Sequence, residues 1–226
     1  MSALEVLDVQ GRRIAYRRRK GGSPTLVFLP GYASDMEGAK ALALDAFAER
    51  RGQAMLRLDY SGTGSSAGRF EDGTLELWLE EVAAAVDQLT GGPLIVIGSS
   101  MGGWIALHLA LLRPDRVEAL VGIAAAPDFT DWGLDRGEGG ITPAFHESGQ
   151  RMLLLNGEIA IDCPVRLIHG EVDGDVPLDI AFRTMRALRS ADVQTTVIKS
   201  GGHRLSEPRE IETILRIVSN LLEPAA

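Results

Sequence analysis

The sequence predicts an α/β fold built on a mostly parallel central sheet. Short apolar runs of strand length recur along the chain, and segments of helix length separate them. Apolar runs of this kind are typical of strands covered on both faces, and strand–helix alternation implies right-handed crossovers between parallel strands. A chain of 226 residues also suits one α/β domain, since such domains often reach roughly 200–250 residues. We therefore expect a single domain spanning residues 1–226.

The elements follow one another in a regular order. Residues 3–19 alternate polar and apolar positions around Gln10-Gly11, which predicts a hairpin. Buried strands are predicted for TLVFL (25–29), AMLRL (54–58), LIVI (94–97), residues 117–123, VRLI (165–168) and residues 193–198. Helices are predicted around 36–50, 74–89, 102–112, 178–189 and 208–222.

Residues 126–162 interrupt this order. The segment is long for a connection, and it contains six glycines. Long insertions in compact domains are often lids or binding loops, so we expect a lid over an apolar pocket. The alternative is a surface loop. The apolar residues of the segment are Phe129, Trp132, Leu134, Ile141, Phe145 and MLLL at 152–155.

Composition limits the partners and the compartment. Lys and Arg number 23 against 31 Asp and Glu, a net charge of −8, which argues against nucleic acid as a partner. Cys163 is the single cysteine, so no intrachain disulfide is expected. The first 20 residues lack a long apolar run, so we expect neither a signal peptide nor stable membrane insertion. We therefore expect a cytoplasmic location. The RRRK run at 17–20 is interpreted as a solvated strand end.

The stretch GSSMGGW at 98–104 carries a candidate nucleophile. Ser100 has Gly98 two residues before it and Gly102 two residues after it, the G-x-S-x-G spacing, whereas Ser99 has Ile97 and Met101 there. A strand precedes the serines and a helix follows them, as this motif requires. Ser100 is therefore the predicted nucleophile, and the alternative is a Gly/Ser turn without chemistry.

A serine hydroxyl needs a base, and among the four histidines His203 is the best candidate. It follows the last predicted strand, where ligand sites of open α/β sheets gather. His108 lies within a helix, His146 precedes every candidate acid, and His169 ends a strand where a turn-stabilising hydrogen bond is expected.

The acid that orients the base is expected after a late strand. The segment HGEVDGDVP offers Asp173 and Asp175, with Glu171 a distant third. Either aspartate has an alternative role in a turn or as a helix cap. The residues alone leave the choice open.

The motifs GSSMGGW, HGEVDGDVP and GGHR, in that order, resemble the α/β-hydrolase superfamily. The chain from about residue 29 more narrowly resembles the acyl-protein (palmitoyl-protein) thioesterase and acyl-glucuronide esterase group. The resemblance thins in residues 126–162, which resemble a shortened lid. The stretches that carry this narrower resemblance include LPGYASDMEGAKALAL, LRLDYSGTGSS and GSSMGGWIALHLALLRP.

The resemblance implies roles for individual residues. In H-G-x-x-D-x-x-V-P the acid is the first aspartate, which matches Asp173. The oxyanion hole would use the backbone N–H groups of Met101 and Tyr32. The loop DYSGTGS at 59–65 matches a segment that supports the nucleophile turn.

These inferences lead to a serine hydrolase that cleaves acyl esters or thioesters through Ser100, Asp173 and His203. The expected substrate is a small-molecule or lipid-like acyl compound or an acylated protein, and we expect no metal or organic cofactor. The alternatives are an acyltransferase or a serine peptidase on the same fold, or a non-catalytic ligand-binding module.

Overall fold

The computed structural model describes residues 2–133 and 140–223. The strands in these residues are β1 (Leu4–Val9), β2 (Arg12–Arg19), β3 (Gly22–Leu29), β4 (Gln53–Leu58), β5 (Leu94–Ser99), β6 (Val117–Ile123), β7 (Val165–Gly170) and β8 (Val193–Ile198). They form one eight-stranded sheet in the order β1-β2-β4-β3-β5-β6-β7-β8. β1 and β2 pair antiparallel, as do β2 and β4, and the remaining pairs are parallel.

The hairpin of β1 and β2 turns where the sequence predicts it. Gln10 and Gly11 have φ values of 53° and 84°. Two consecutive residues with positive φ match the two-residue turn whose twist suits a hairpin. The antiparallel start of the sheet follows from this turn and from the pairing of β2 with β4.

Helices cover both faces of the sheet. Alternate residues of β5 divide between two cores: Leu94 and Val96 belong to one apolar cluster, and Ile95 and Ile97 belong to the other. This alternation is the period of a strand buried on both faces. The helices are α1 (Ala39–Arg51), α2 (Leu75–Leu89), α3 (Met101–Leu112), α4 (Phe129–Trp132), α5 (Pro143–Arg151), α6 (Leu178–Ala187) and α7 (Pro208–Leu222). The first cluster includes residues of α2, α3 and α6, and the second includes residues of α1 and α7.

The segment 126–162 contributes two of these helices, α4 and α5. The Oγ1 of Thr142 accepts a hydrogen bond from the Phe145 N–H at 3.0 Å and caps α5. The Phe145 side chain is fully buried against the rings of Tyr32 and Trp78. Much of the segment is therefore packed onto the domain. Leu134 of the predicted apolar set lies outside the described residues.

No helix in residues 2–133 and 140–223 is long and apolar enough to cross a bilayer.

Candidate active site

Ser100 lies in a sharp turn between β5 and α3. Its φ of 54° and ψ of −121° are strained for a residue with a side chain. The turn is fixed by its backbone: the Ser100 N–H donates to the Ile123 carbonyl at 2.9 Å, and the Ser100 carbonyl accepts from the Gly103 and Ala126 N–H groups. Ser100 is the N-cap of α3, yet its Oγ caps no backbone N–H, so the hydroxyl is free for another partner. Ser99, by contrast, is buried at the end of β5.

The glycines around Ser100 permit this turn because side chains there would collide with neighbouring backbone. A Cβ at Gly98 would overlap the Gly102 carbonyl, and a Cβ at Gly102 would overlap the Leu29 carbonyl at the end of β3. A Cβ at Gly31 would lie 3.2 Å from the Ser100 Cβ. The strand, the turn and the loop after β3 therefore approach more closely than residues with side chains allow.

The structure brings the Ser100 hydroxyl, the His203 imidazole and the Asp173 carboxylate together. His203 Nε2 lies 3.1 Å from Ser100 Oγ, and His203 Nδ1 lies 2.9 Å from Asp173 Oδ2. An imidazole protonated at Nδ1 donates to the carboxylate and accepts from the hydroxyl at Nε2. The loops after β5, β7 and β8 supply the three residues, so all of them lie at the carboxyl edge of the parallel strands.

Asp173 differs from Asp175 in both burial and bonding. The Asp173 side chain is fully buried, and its Oδ1 accepts the N–H groups of Asp175 and Val176 at 2.9 and 2.8 Å. Burial acts to raise the pKa of Asp173, but the hydrogen bonds from His203 and these N–H groups outweigh it, and the pKa is lowered. The residue is held as a carboxylate. Asp175 is exposed at the rim of the adjacent cavity.

The remaining histidines occupy other places. His169 is buried, and its Nε2 bonds the Val176 carbonyl at 2.9 Å, which confirms the predicted turn-stabilising role. Its Nε2 also lies 3.4 Å from Asp173 Oδ2. His108 bonds the Met152 carbonyl from α3, and burial lowers its pKa. His146 lies on α5.

One cluster in residues 2–133 and 140–223 has the donor types and proximity of a metal site. It consists of Asp173, Asp175 and His203, with one ligand atom of each within 4.8 Å of the others. Asp173 and His203 already bond each other. A metal there would compete with the His203–Asp173 hydrogen bond.

Two backbone N–H groups border Ser100. Met101 is the first residue of α3, so its N–H has no acceptor within the helix. Tyr32 follows Gly31, which lies against Ser100, and the Tyr32 N–H donates no hydrogen bond to another described residue. These are the two donors that the sequence analysis assigns to an oxyanion hole.

Neighbouring residues hold the loop that carries Tyr32. The buried Tyr60 hydroxyl donates to the Pro30 carbonyl at 3.0 Å. The Asp59 carboxylate accepts the Met36 and Ser65 N–H groups, each at 2.7 Å. These bonds tie the segment 59–65, which is the loop after β4, to the loop after β3. Support of the nucleophile turn by this segment stays a prediction. The sequence alone did not identify the Tyr60–Pro30 contact, which joins residues 30 positions apart.

A cavity of about 300 Å³ lies beside Ser100 and His203. The Tyr32 ring forms part of its wall and packs edge-to-face with Phe70, Phe129 and Phe145 at centroid distances of 4.9–6.0 Å. The Tyr32 hydroxyl donates to the Gly140 carbonyl at 2.8 Å. The lining residues are Tyr32, Ser100, Ala126, Phe129, Trp132, Gly133, Gly174, Asp175, Val176 and His203.

Comparison with known protein families gives one family match. Residues 24–145 match a family described as the alpha/beta hydrolase fold.

Comparison with individual proteins extends the match over most of the chain. The chain is 36% identical over 234 aligned residues to the mitochondrial palmitoyl-protein thioesterase ABHD10 of Pongo abelii, covering 93% of this chain and 76% of the relative. The Homo sapiens protein of that name is 35% identical over the same shares. The structure of alpha/beta hydrolase domain-containing protein 10 from mouse superposes with a TM-score of 0.93 at 34% identity, covering 98% of each chain. A putative hydrolase from Agrobacterium vitis S4 superposes with a TM-score of 0.90, also at 34% identity, covering 99% of each chain.

Proposed function

The chain belongs to the alpha/beta hydrolase family and is a hydrolase, and we propose that it cleaves acyl esters and acyl thioesters through Ser100, His203 and Asp173. The observation that carries the proposal is the chain of hydrogen bonds from the Asp173 carboxylate through the His203 imidazole to the Ser100 hydroxyl. These hydrogen bonds end at Ser100, beside a cavity large enough for a small ligand.

In the proposed first step, Ser100 Oγ attacks the acyl carbonyl carbon. His203 Nε2 accepts the hydroxyl proton and then donates it to the leaving alcohol or thiol, and Ser100 keeps the acyl group as an ester. The buried Asp173 carboxylate holds the Nδ1–H tautomer and stabilises the imidazolium that forms. Its lowered pKa serves this role, because a carboxylate can accept from the Nδ1–H at neutral pH.

In the proposed second step, water replaces the leaving group. His203 removes a proton from the water, the resulting hydroxide attacks the acyl carbon, and the proton returns to Ser100 as the carboxylic acid leaves. The N–H groups of Met101 and Tyr32 donate to the oxyanion in both steps. In a well-studied serine hydrolase, removing one such donor costs about 10²–10³ in kcat.

The proposed substrate is a lipid-like acyl compound or an acylated protein. Two mammalian relatives are named palmitoyl-protein thioesterases, and the cavity wall here includes Phe129, Trp132 and Val176. Its volume of about 300 Å³ lies at the lower end of the roughly 300–1,000 Å³ typical of small-molecule sites. The described cavity therefore suits the carbonyl end and first methylenes of an acyl group.

We further propose that residues 126–162 act as a lid over this cavity. The support is local: Phe129 and Trp132 of α4 line it. Asp128 orders the segment from within, because its carboxylate accepts the N–H groups of Leu154 and Leu155 at 2.9 and 2.7 Å.

The cytoplasmic location stays a prediction. The names of the mammalian relatives carry the word mitochondrial and therefore do not support the cytoplasmic prediction. The absence of nucleic acid among the partners likewise stays a prediction from the net charge of −8.

Covalent labelling with a fluorophosphonate tests the proposal, since the reagent reacts with an activated serine. Ser100→Ala should abolish the labelling and the hydrolysis of an acyl p-nitrophenyl ester and an acyl thioester. Ser99→Ala is the matched control, because Ser99 is buried in β5, and it should retain labelling. Labelling that survives Ser100→Ala and disappears with Ser99→Ala would contradict the assignment.

The same preparation separates the other functions considered. A non-catalytic binding module leaves Ser100 unlabelled and the ester intact. An acyltransferase labels Ser100 but transfers the acyl group to an added alcohol or thiol in preference to water, which product analysis detects.

A further inference from the structure

A second cavity, of about 330 Å³, lies beside the one that holds Ser100. Three chain segments line both cavities with consecutive residues: Tyr32, Ser100 and His203 line the first, and Gly31, Ser99 and Arg204 line the second. A Cβ on Gly31 would lie 3.8 Å from Ser100 Oγ, so the wall between the cavities is thin there. A group bound in the second cavity is close to the proposed reacting atoms.

Two cations line this second cavity, Lys40 from α1 and Arg204 from the loop before α7. The half-buried Lys40 ammonium donates to the Arg204 carbonyl, which leaves two of its three N–H groups for other partners. The Arg204 residue is exposed. Neither cation forms an ion pair with a carboxylate of residues 2–133 or 140–223.

Several other basic residues of the chain are, by contrast, already paired with carboxylates. Arg17, Arg19 and Arg57, for example, form ion pairs with Glu37, Asp45 and Glu49. Burial lowers the pKa of Lys40, Arg204 adds to this effect and Glu210 opposes it. A bound anion would compensate the desolvation of the ammonium that lowers this pKa.

The other lining groups fit an oxyanion. Ser34, Ser99 and Ser206 also line the cavity, and a serine hydroxyl can donate to a carboxylate or phosphate oxygen. One acid, Asp35, also lines the cavity, and its Oδ1 accepts the Glu37 N–H at 2.8 Å. The lining therefore carries a net positive charge in a chain whose net charge is −8.

We propose that the cavity between Lys40 and Arg204 is a subsite for an oxyanion, a carboxylate or a phosphate group. Its position beside His203 allows two sources: the charged end of a leaving group whose ester or thioester is cleaved at Ser100, or a free anion. The first source rests on the proposed function, and the second does not.

The first arm of the test compares two thioesters that differ only in charge: S-butyryl-3-mercaptopropionate and the corresponding carboxamide. The ratio of their kcat/KM values is measured at constant ionic strength. For a subsite of partly exposed cations, the wild-type ratio should favour the carboxylate by about two- to fivefold, and Arg204→Gln should remove most of that preference. Lys20→Gln is the matched control, since Lys20 is an exposed cation of the chain that does not line this cavity, and it should keep the ratio.

The second arm measures binding of inorganic phosphate by calorimetry. Wild-type protein should bind phosphate, Arg204→Gln and Lys40→Met should weaken binding severalfold, and Lys40→Arg should restore much of it. Thermal unfolding and fluorophosphonate labelling of each variant establish that the fold and Ser100 are intact.

The outcomes separate the two sources. Loss of both phosphate binding and substrate preference supports a leaving-group subsite, and loss of phosphate binding alone supports a free-anion site. If neither phosphate binding nor the thioester ratio differs between wild type and Arg204→Gln, the proposal is overturned. Failure of wild-type Ser100 to label would instead count against the proposed hydrolase mechanism and leaves the phosphate arm readable.

Discussion

The two oxygens of Asp173 bond different partners. Oδ1 accepts two backbone N–H groups of its own turn, and Oδ2 faces His203 Nδ1. Asp175, two residues later, is exposed and makes no comparable contact among the described residues. An acid that orients an imidazole must be held rigidly and stay ionised, and the geometry at Asp173 meets both conditions.

We therefore expect Asp173→Asn to lower kcat strongly, because an amide does not stabilise the Nδ1–H imidazolium. Loss of the corresponding charge in a serine protease costs about 10⁴-fold. Initial rates on an acyl p-nitrophenyl ester measure the effect. Asp175→Asn serves as the control and should stay near the wild-type rate, while His203→Ala should be at least as damaging as Asp173→Asn. A severe loss with Asp175→Asn and a mild one with Asp173→Asn would refute the assignment.

The sequence favours Ser100 over Ser99 as the nucleophile because the relevant information is local. The spacing to Gly98 and Gly102 identifies a turn between a strand and a helix, and the structure has β5 and α3 on either side of it. The catalytic roles of Ser100, His203 and Asp173 stay predictions. The contact between Lys40 and the Arg204 carbonyl was not predictable in this way, since it joins residues 164 positions apart.

At the scale of elements, hydrophobic periodicity located most strands and helices of the sheet domain. The predicted helix at 178–189 ends at Ala187, and the one at 36–50 begins only at Ala39. The order of the strands was not predictable from apolar runs, because β4 lies between β2 and β3. Pairing of this kind depends on contacts across the sheet and not on any one segment.

The helices α4 and α5 were missed because they are short. α4 has four residues, and α5 has nine and includes Gly149, a poor helix former. Tertiary packing supports them: a Cβ at Gly149 would lie 2.5 Å from Thr130 Cγ2. Gly149 thus permits close approach of α4 and α5. In the sequence alone, a glycine at this position suggests a flexible loop.

The lid over the cavity can be tested at α4. Trp132 lines the cavity, and its Nε1–H donates to the Pro127 carbonyl at 2.7 Å. Trp132→Ala should lower kcat/KM for an octanoyl p-nitrophenyl ester more than for the acetyl ester, because each methylene that loses burial costs about 0.8 kcal/mol.

Leu112→Ala is the control for the lid test, since Leu112 is 48% exposed on α3 and does not line the cavity. This variant should leave the ratio of octanoyl to acetyl kcat/KM near that of the wild type. An equal loss on both esters with Trp132→Ala would argue that α4 supports the fold and does not contact the acyl chain.

At the scale of the whole molecule, the fold gathers the functional groups at one edge of the sheet. The loops after β3, β5, β7 and β8 all begin at this edge because parallel strands share a direction. The α/β-hydrolase fold predicted from the sequence is confirmed by the family match and by the superposition with the mouse protein. The extent of the domain over residues 1–226 stays a prediction.

The choice between ester, thioester and amide chemistry depends on the molecule as a whole. The same three catalytic groups serve all three carbonyl types, so the triad geometry does not decide between them. An extended peptide needs a long cleft, whereas the described cavity beside Ser100 measures about 300 Å³ and includes Phe129, Trp132 and Val176 in its wall. Alcohols and thiols are also better leaving groups than amines. Their departure therefore depends less on protonation by His203, the proposed general acid.

We therefore expect kcat/KM for acyl p-nitrophenyl esters and for an acyl thioester to exceed that for aminoacyl anilides on one preparation of the protein. Ser100→Ala provides the background rate for each substrate, so that any remaining hydrolysis is assigned to contaminants or to the solvent. The expected order follows from the leaving groups together with the small volume and partly apolar lining of the cavity beside Ser100. Anilide hydrolysis that depends on Ser100 and equals or exceeds both the ester and the thioester rates would identify a serine peptidase instead.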